Sequence, residues 1–313
     1  MSEQKEIRAA YVDTLVELGA VNKNIVVLEA DLMSCTNTGS FKKAYPDRHI
    51  NCGVAEANMV GVAAGLSTLG KIPFAASFGC FSSRRVYDQF FLSANYAKLN
   101  VKLIGTDPGV TAAMNGGTHM PFEDLALMRV VPGLTILEPS DFYSCAAFVR
   151  QMAEDYGCHY LRFPRKPVPV IYNENEKFKF GQAKVLKEGK DLCFVALGSL
   201  MVNQSLEACE ELAKQGINAG VIDVLSLKPI DKNTILEQAG KVRAVISAEN
   251  AQIAGGLGSA VAEILAEEGC RCKFARIGIN DEFGEVGTQD YLVDRFGLDV
   301  GSFVKKAKGL LGA

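Results

Sequence analysis

The sequence predicts an α/β protein of two doubly wound domains, each a mainly parallel sheet flanked by helices. Two observations carry this reading. Short apolar runs alternate with segments of helical spacing along the whole chain, as strand–helix–strand units require. One proline-marked polar break then divides the 313 residues into parts of ordinary domain size. In the first part a helical pattern covers 6–18 and an apolar strand follows at 25–28. Further helices are predicted over 57–69, 84–97 and 142–154, and further strands at 101–105, 134–137 and 160–163. Pro164, Pro167 and Pro169 then lead into Asn173-Glu174-Asn175-Glu176-Lys177, which reads as an exposed linker. The expected domains are therefore 1–168 and 189–313, joined by 169–188. In the second, strands are predicted at 192–197, 219–224, 244–248 and 274–277, with helices at 202–215, 231–238 and 258–267. Gly255-Gly256-Leu257-Gly258-Ser259 follows a strand and opens a helix, but the third glycine of a dinucleotide fingerprint is missing. A close-packed turn accounts for it better.

Composition narrows the function. The chain is 48% hydrophobic with a formal net charge of −3. No basic stripe interleaved with aromatics is present, which argues against a nucleic-acid partner. No run of 18 apolar residues suggests a membrane span, and the polar start Met1-Ser2-Glu3-Gln4-Lys5-Glu6 is unlike a signal peptide. The nine cysteines are scattered, odd in number and without a C-x-x-C, as expected of reduced core cysteines in a cytoplasmic protein. None of the three histidines pairs with a cysteine at metal-ligand spacing, so no protein-held metal is expected.

Three constellations carry chemistry. In Gly53-Val54-Ala55-Glu56-Ala57-Asn58-Met59, Glu56 is the only ionisable residue as far as Leu66. A helix apolar on all sides is normally buried, and a buried carboxylate is costly without a partner. The plain alternative is an acid held by the helix dipole in a wet first turn. Phe74-Ala75-Ala76-Ser77-Phe78-Gly79-Cys80-Phe81 sets two aromatics three residues apart after a short apolar strand, which in isolation means core packing. Gly116-Gly117-Thr118-His119-Met120-Pro121 puts a histidine on a loop, where imidazole can donate to a developing alkoxide or move a proton.

Together these segments resemble the thiamine-diphosphate enzymes of the transketolase group. The first is similar to their G-x-A-E-x-N-M pattern and the third to their G-P-T-H-Q-P loop. Ala30-Asp31-Leu32, Lys228-Pro229-Ile230-Asp231 and Glu249-Asn250 also resemble family segments, in collinear order. The resemblance implies that Glu56 bonds the cofactor's aminopyrimidine ring and activates it, with His119 as the second catalytic residue. It implies that Phe78 stacks on that ring with Phe81 as a second wall, and that Asp31 adjoins the cofactor. No G-D-G occurs, so the half that binds Mg2+ and the diphosphate is expected on a separate N-terminal subunit, in an α₂β₂ assembly with contact between copies of this chain. Sugar substrates are implied, with Arg8 and Arg165 at the family's two arginine positions. Cys35, Asp107 and Asn115 stand where the family has Ser, His and Asp, so ordinary pentose phosphates need not be preferred. A 2-oxoacid dehydrogenase β subunit, a 1-deoxyxylulose-5-phosphate synthase-like enzyme and a non-catalytic subunit of the same fold remain open alternatives.

Overall fold

The computed structural model describes residues 3–312. A seven-stranded sheet forms the first layer, in the order Ser226–Lys228, Thr135–Leu137, His159–Phe163, Lys102–Thr106, Ile72–Phe78, Ile25–Glu29 and His49–Asn51. All pairings are parallel except that of Ser226–Lys228, which runs antiparallel to Thr135–Leu137. The central strands are buried on both faces, which explains why they read as unbroken apolar runs. The helices Ile7–Val21 and Phe142–Glu154 cover one face, over Tyr11, Phe74, Phe148 and Phe163. Asp141 starts the second of these with a capping box: its carboxylate accepts from the Ser144 N–H, and the Ser144 hydroxyl accepts from the Asp141 N–H. The helix Glu56–Thr68 and the helical segment from Phe81 to Tyr96 cover the other face.

The second sheet runs Lys273–Ile279, Ala244–Gln252, Leu192–Ala196, Ala219–Asp223 and Lys184–Lys187, parallel but for the last strand. Two helices that the sequence reading passed over, Gln289–Arg295 and Val300–Leu311, close the chain behind the N-caps Thr288 and Asp299. The two sheets are not independent. Ser226–Lys228 belongs to the C-terminal half yet completes the first sheet, and Pro167–Pro169 pairs with Gln4–Glu6 rather than hanging free. One apolar cluster runs without a break from Met59 and Phe90 through Leu125 to Val195 and Leu257.

Two further local readings change. Residues 84–97 were expected as one helix; the winding starts at Gly79 and is π-helical over Phe81–Arg85 and Phe90–Tyr96. The Glu56 helix buries one face only, through Met59, Val60, Ala63, Ala64 and Ser67. Asn58, Gly61 and Gly65 lie open on the other, flanked by Val54 and Leu69 at 75% and 76% exposure. Small residues made the segment look uniformly apolar without committing both faces to this chain's core.

Candidate active site

The site forms at the carboxyl ends of the first sheet's parallel strands, where doubly wound sheets open a crevice. Glu56 is the first residue of its helix and 2% exposed. Its Oε2 lies 3.1 Å from Nη1 of Arg85, a half-exposed side chain. The winding of Phe81–Arg85 carries that guanidinium back over its own turn, 4.3 Å from the centre of the Phe81 ring. Phe81 in turn meets His119 edge-on at 5.2 Å, and Phe78 meets His119 at 5.7 Å and Phe81 at 6.2 Å. Three rings thus form a cup beside the buried Glu56 carboxylate.

His119 is held from below. Thr118 Oγ1 lies 2.9 Å from His119 Nδ1, which leaves Nε2 to meet an incoming group. Arg84 donates to the Thr118 carbonyl at 3.2 Å and pairs with Glu123 at 2.8 Å. Cys80, Phe81, Arg84, Arg85, Thr118 and His119 line an open cavity of about 410 Å³. Larger hollows, of about 940 Å³ beside Leu99 and Tyr156 and about 710 Å³ beside Arg276 and Lys305, hold none of these groups. Chemistry, not size, marks the site.

On the far side of Phe78, which is 7% exposed, the guanidinium of Arg165 lies 5.2 Å from the ring centre. Its Nε donates to Asp107 Oδ1 at 2.7 Å. Burial raises the Asp107 carboxyl, and Arg165 and Arg8 oppose the rise. Arg8 donates to Glu6 Oε2 at 3.0 Å and to the Cys35 carbonyl at 2.9 Å, so Cys35 enters through its backbone. The fold therefore gathers Glu56, Phe78, Phe81, His119, Asp107 and Arg165, with Arg8 and Cys35 adjoining. Asp31 and Asn115 stay exposed at the rim. Asp31 exchanges two hydrogen bonds with Asn51, which also accepts from the Gly53 N–H on the approach to Glu56. Sequence reasoning passed over Arg84, Arg85 and Glu6. The signal for the first two was present, since basic residues three and four positions after Phe81 share its helical face.

Residues 3–170 match the transketolase pyrimidine-binding domain model and residues 181–302 the transketolase C-terminal domain model. The chain belongs to the transketolase family. It is 49% identical to a 6-deoxy-6-sulfo-D-fructose transketolase subunit of a Clostridium species, covering 97% of this chain and 94% of the relative. It is 42% identical to a putative transketolase C-terminal section of Methanocaldococcus jannaschii, over 96% and 95%. Human transketolase is 33% identical across 97% of this chain but only 49% of its own length, so the chain spans about half of that relative. A split gene transketolase solved as an inactive β4 tetramer superposes with a TM-score of 0.91 at 44% identity, covering 98% of both chains. Like its split relatives, the chain thus has the extent of the family's C-terminal half.

Proposed function

We propose that this chain is the C-terminal subunit of a two-chain transketolase, moving a two-carbon ketol unit from a ketose to an aldose. The observation that carries the reading is Glu56, a buried carboxylate opening a helix beside the cup of Phe78, Phe81 and His119. Those residues fit one end of thiamine diphosphate: an acid to share a proton with the aminopyrimidine and an aromatic face to stack on it. Arg85 supports the fit, because a planar, hydrogen-bonding cation already lies over Phe81 and against Glu56. On that support we assign the stacking face to Phe81 rather than Phe78, with Phe78 backing the substrate side. When bound, thiamine diphosphate supplies the nucleophilic carbon that takes up the ketol unit. Glu56 holds the proton on the ring nitrogen, Arg85 turns aside, and His119 Nε2 donates to the substrate oxygen where charge develops.

Among the described residues no group of three or more His, Cys, Asp or Glu is placed to hold a metal. With no G-D-G in the sequence, and with split subunits among the relatives, we assign Mg2+ and the diphosphate to a separate N-terminal subunit in an α₂β₂ complex. The open faces of neighbouring helices, with Val54, Leu69, Leu92 and Tyr96 exposed, supply apolar surface for contact between subunits. The pyrimidine-binding part is taken as 1–168 and the C-terminal domain as 189–313. No helix among the described residues is long and apolar enough to cross a membrane, and we place the enzyme in the cytoplasm.

The substrate end is electrically balanced. Arg8 is paired with Glu6, and Arg165 with Asp107. Two cations matched by two acids suit a donor tail carrying less charge than a phosphate dianion, such as a sulfonate or a neutral hydroxyl end. The Clostridium relative's named substrate, a 6-deoxy-6-sulfo ketose, has such a tail. The deciding experiment joins this chain to an N-terminal subunit and assays ketol transfer over a ketose and aldehyde panel. Glu56→Gln should keep the fold and lose orders of magnitude in turnover. Near-normal activity in that variant would remove Glu56 from the mechanism.

A further inference from the structure

The strand Ala244–Gln252 of the second sheet ends against the loop, residues 107–119, that carries both Asp107 and His119. Asn250 is 2% exposed at that end. Its side-chain Nδ2 donates to the Pro108 carbonyl at 2.9 Å, and its Oδ1 accepts from the Val110 N–H at 3.0 Å. One amide therefore grips the loop's backbone by a donor and an acceptor, which also fixes which way the amide points. Gly109 lies inside the grip at φ +55°, and a Cβ there would run into the Asn250 side chain. Further along, the Gln252 N–H donates to the Phe122 carbonyl at 2.7 Å. A Cβ on Gly117 would collide with the Gly284 carbonyl. The C-terminal domain thus holds the loop on both sides of His119.

The loop needs holding. Asp107 and Ala113 have φ of 60° and 47°, with Ala113 at ψ −117°. Non-glycine residues stay in such conformations only when their surroundings over-determine them. Arg162 reinforces the base: fully buried, it bonds Asp124 at 2.7 Å and Glu138 at 2.8 Å and reaches the Asn250 carbonyl at 3.5 Å. The clamp is rigid and its target is strained.

We propose that Asn250 is a positioning residue: through Pro108 and Val110 it sets the conformation of the loop that presents Asp107 and His119 to the substrate. The role of the C-terminal domain in the reaction follows from it, since through Asn250 that domain acts on the substrate side of the site. This rests on the ketol-transfer reading above. Asn250→Ala and Asn250→Asp separate positioning from mere stability. In the reconstituted complex Asn250→Ala should lower kcat/KM on the order of 10²-fold, the scale of an ångström-level misplacement, with thiamine diphosphate affinity unchanged. In Asn250→Asp the carboxylate still accepts from Val110 but repels the Pro108 carbonyl. Protonation restores a donor, so its activity relative to the parent should recover as pH falls. On the full chain alone, the imidazole NMR signals of His119 should shift in both variants while those of buried His49 and His159 stay. An unmoved His119 signal with unaltered kcat/KM would overturn the proposal. So would activity lost only in step with cofactor affinity. If the parent complex transfers no ketol unit, the function fails, but the His119 signal still tests the clamp.

Discussion

Replacing Asp107 by Asn removes one negative charge from the substrate end while keeping an oxygen for Arg165. Arg165 donates Nε to Asp107 at 2.7 Å, which leaves its other nitrogens to turn toward a donor tail. A tail gripped by the same guanidinium lies ~5 Å from the Asp107 carboxylate. At an effective dielectric of about 20 that repulsion is about 3 kcal/mol per unit of tail charge. Arg165 is partly exposed, and solvent and salt reduce the figure by roughly half. The expected gain in kcat/KM is thus about tenfold for a monoanionic tail and about 10²-fold for a dianion, with none for a neutral one. The assay compares three matched ketose donors, ending in hydroxyl, sulfonate or phosphate, with one acceptor. Equal gains for all three, or none for the phosphate, would refute the electrostatic account. The same acid gives a pH signature. Burial raises its carboxyl, so protonation sets in at higher pH than for an ordinary Asp. As pH falls, the parent enzyme's preference for the sulfonate, which does not titrate, over the hydroxyl-ended donor should rise toward that of Asp107→Asn.

Phe81→Ala should weaken thiamine diphosphate binding to the assembled complex by about tenfold, the scale of a lost aromatic contact, whereas Phe78→Ala should act mainly on the donor KM. Fluorescence titration separates the two, and equal effects on cofactor affinity would return Phe78 to the stacking role. Glu29 accepts from the Thr36 and Thr38 hydroxyls, each at 2.6 Å, while its other oxygen is buried without a partner. Burial raises its carboxyl from 4.5 to about 7. The folded chain then binds a proton that the unfolded chain has lost, so this group's contribution to stability falls as pH rises from about 4.5 through about 7. Glu29→Gln should remove a pH slope worth roughly 3 kcal/mol at most across that window, and denaturant melts of parent and variant that fall in parallel would rule it out.

The alternation of strand and helix was legible because buried parallel strands and their covering helices leave distinct periods. Glu56 was legible because one charge in a small-residue helix needs a reason, and His119 because a histidine between glycine and proline sits on a loop. What escaped depends on pairing across the chain. Ser226–Lys228 is too short to read as a strand until Thr135–Leu137 lies beside it. Asn250 looks like any polar residue at a strand end until Pro108 and Val110 arrive from 140 residues away. The acidic partners of Arg8 and Arg165 escaped for opposite reasons. Glu6 lies two residues from Arg8 and was read as part of a polar start. Asp107 was weighed against the substrate alone, whereas its carboxylate also accepts from Arg165. Phe78 is deeply packed and Phe81 half-buried, a difference that the shared apolar run does not announce.

The central claim is that this chain holds half of a cofactor site and needs a second chain for the rest. Calorimetric titration with thiamine diphosphate and Mg2+, of the chain alone and then of its complex with an N-terminal subunit, tests it most directly. The chain alone should bind slightly, and the complex tightly and with ketol transfer. Tight binding or ketol transfer by this polypeptide on its own would contradict it.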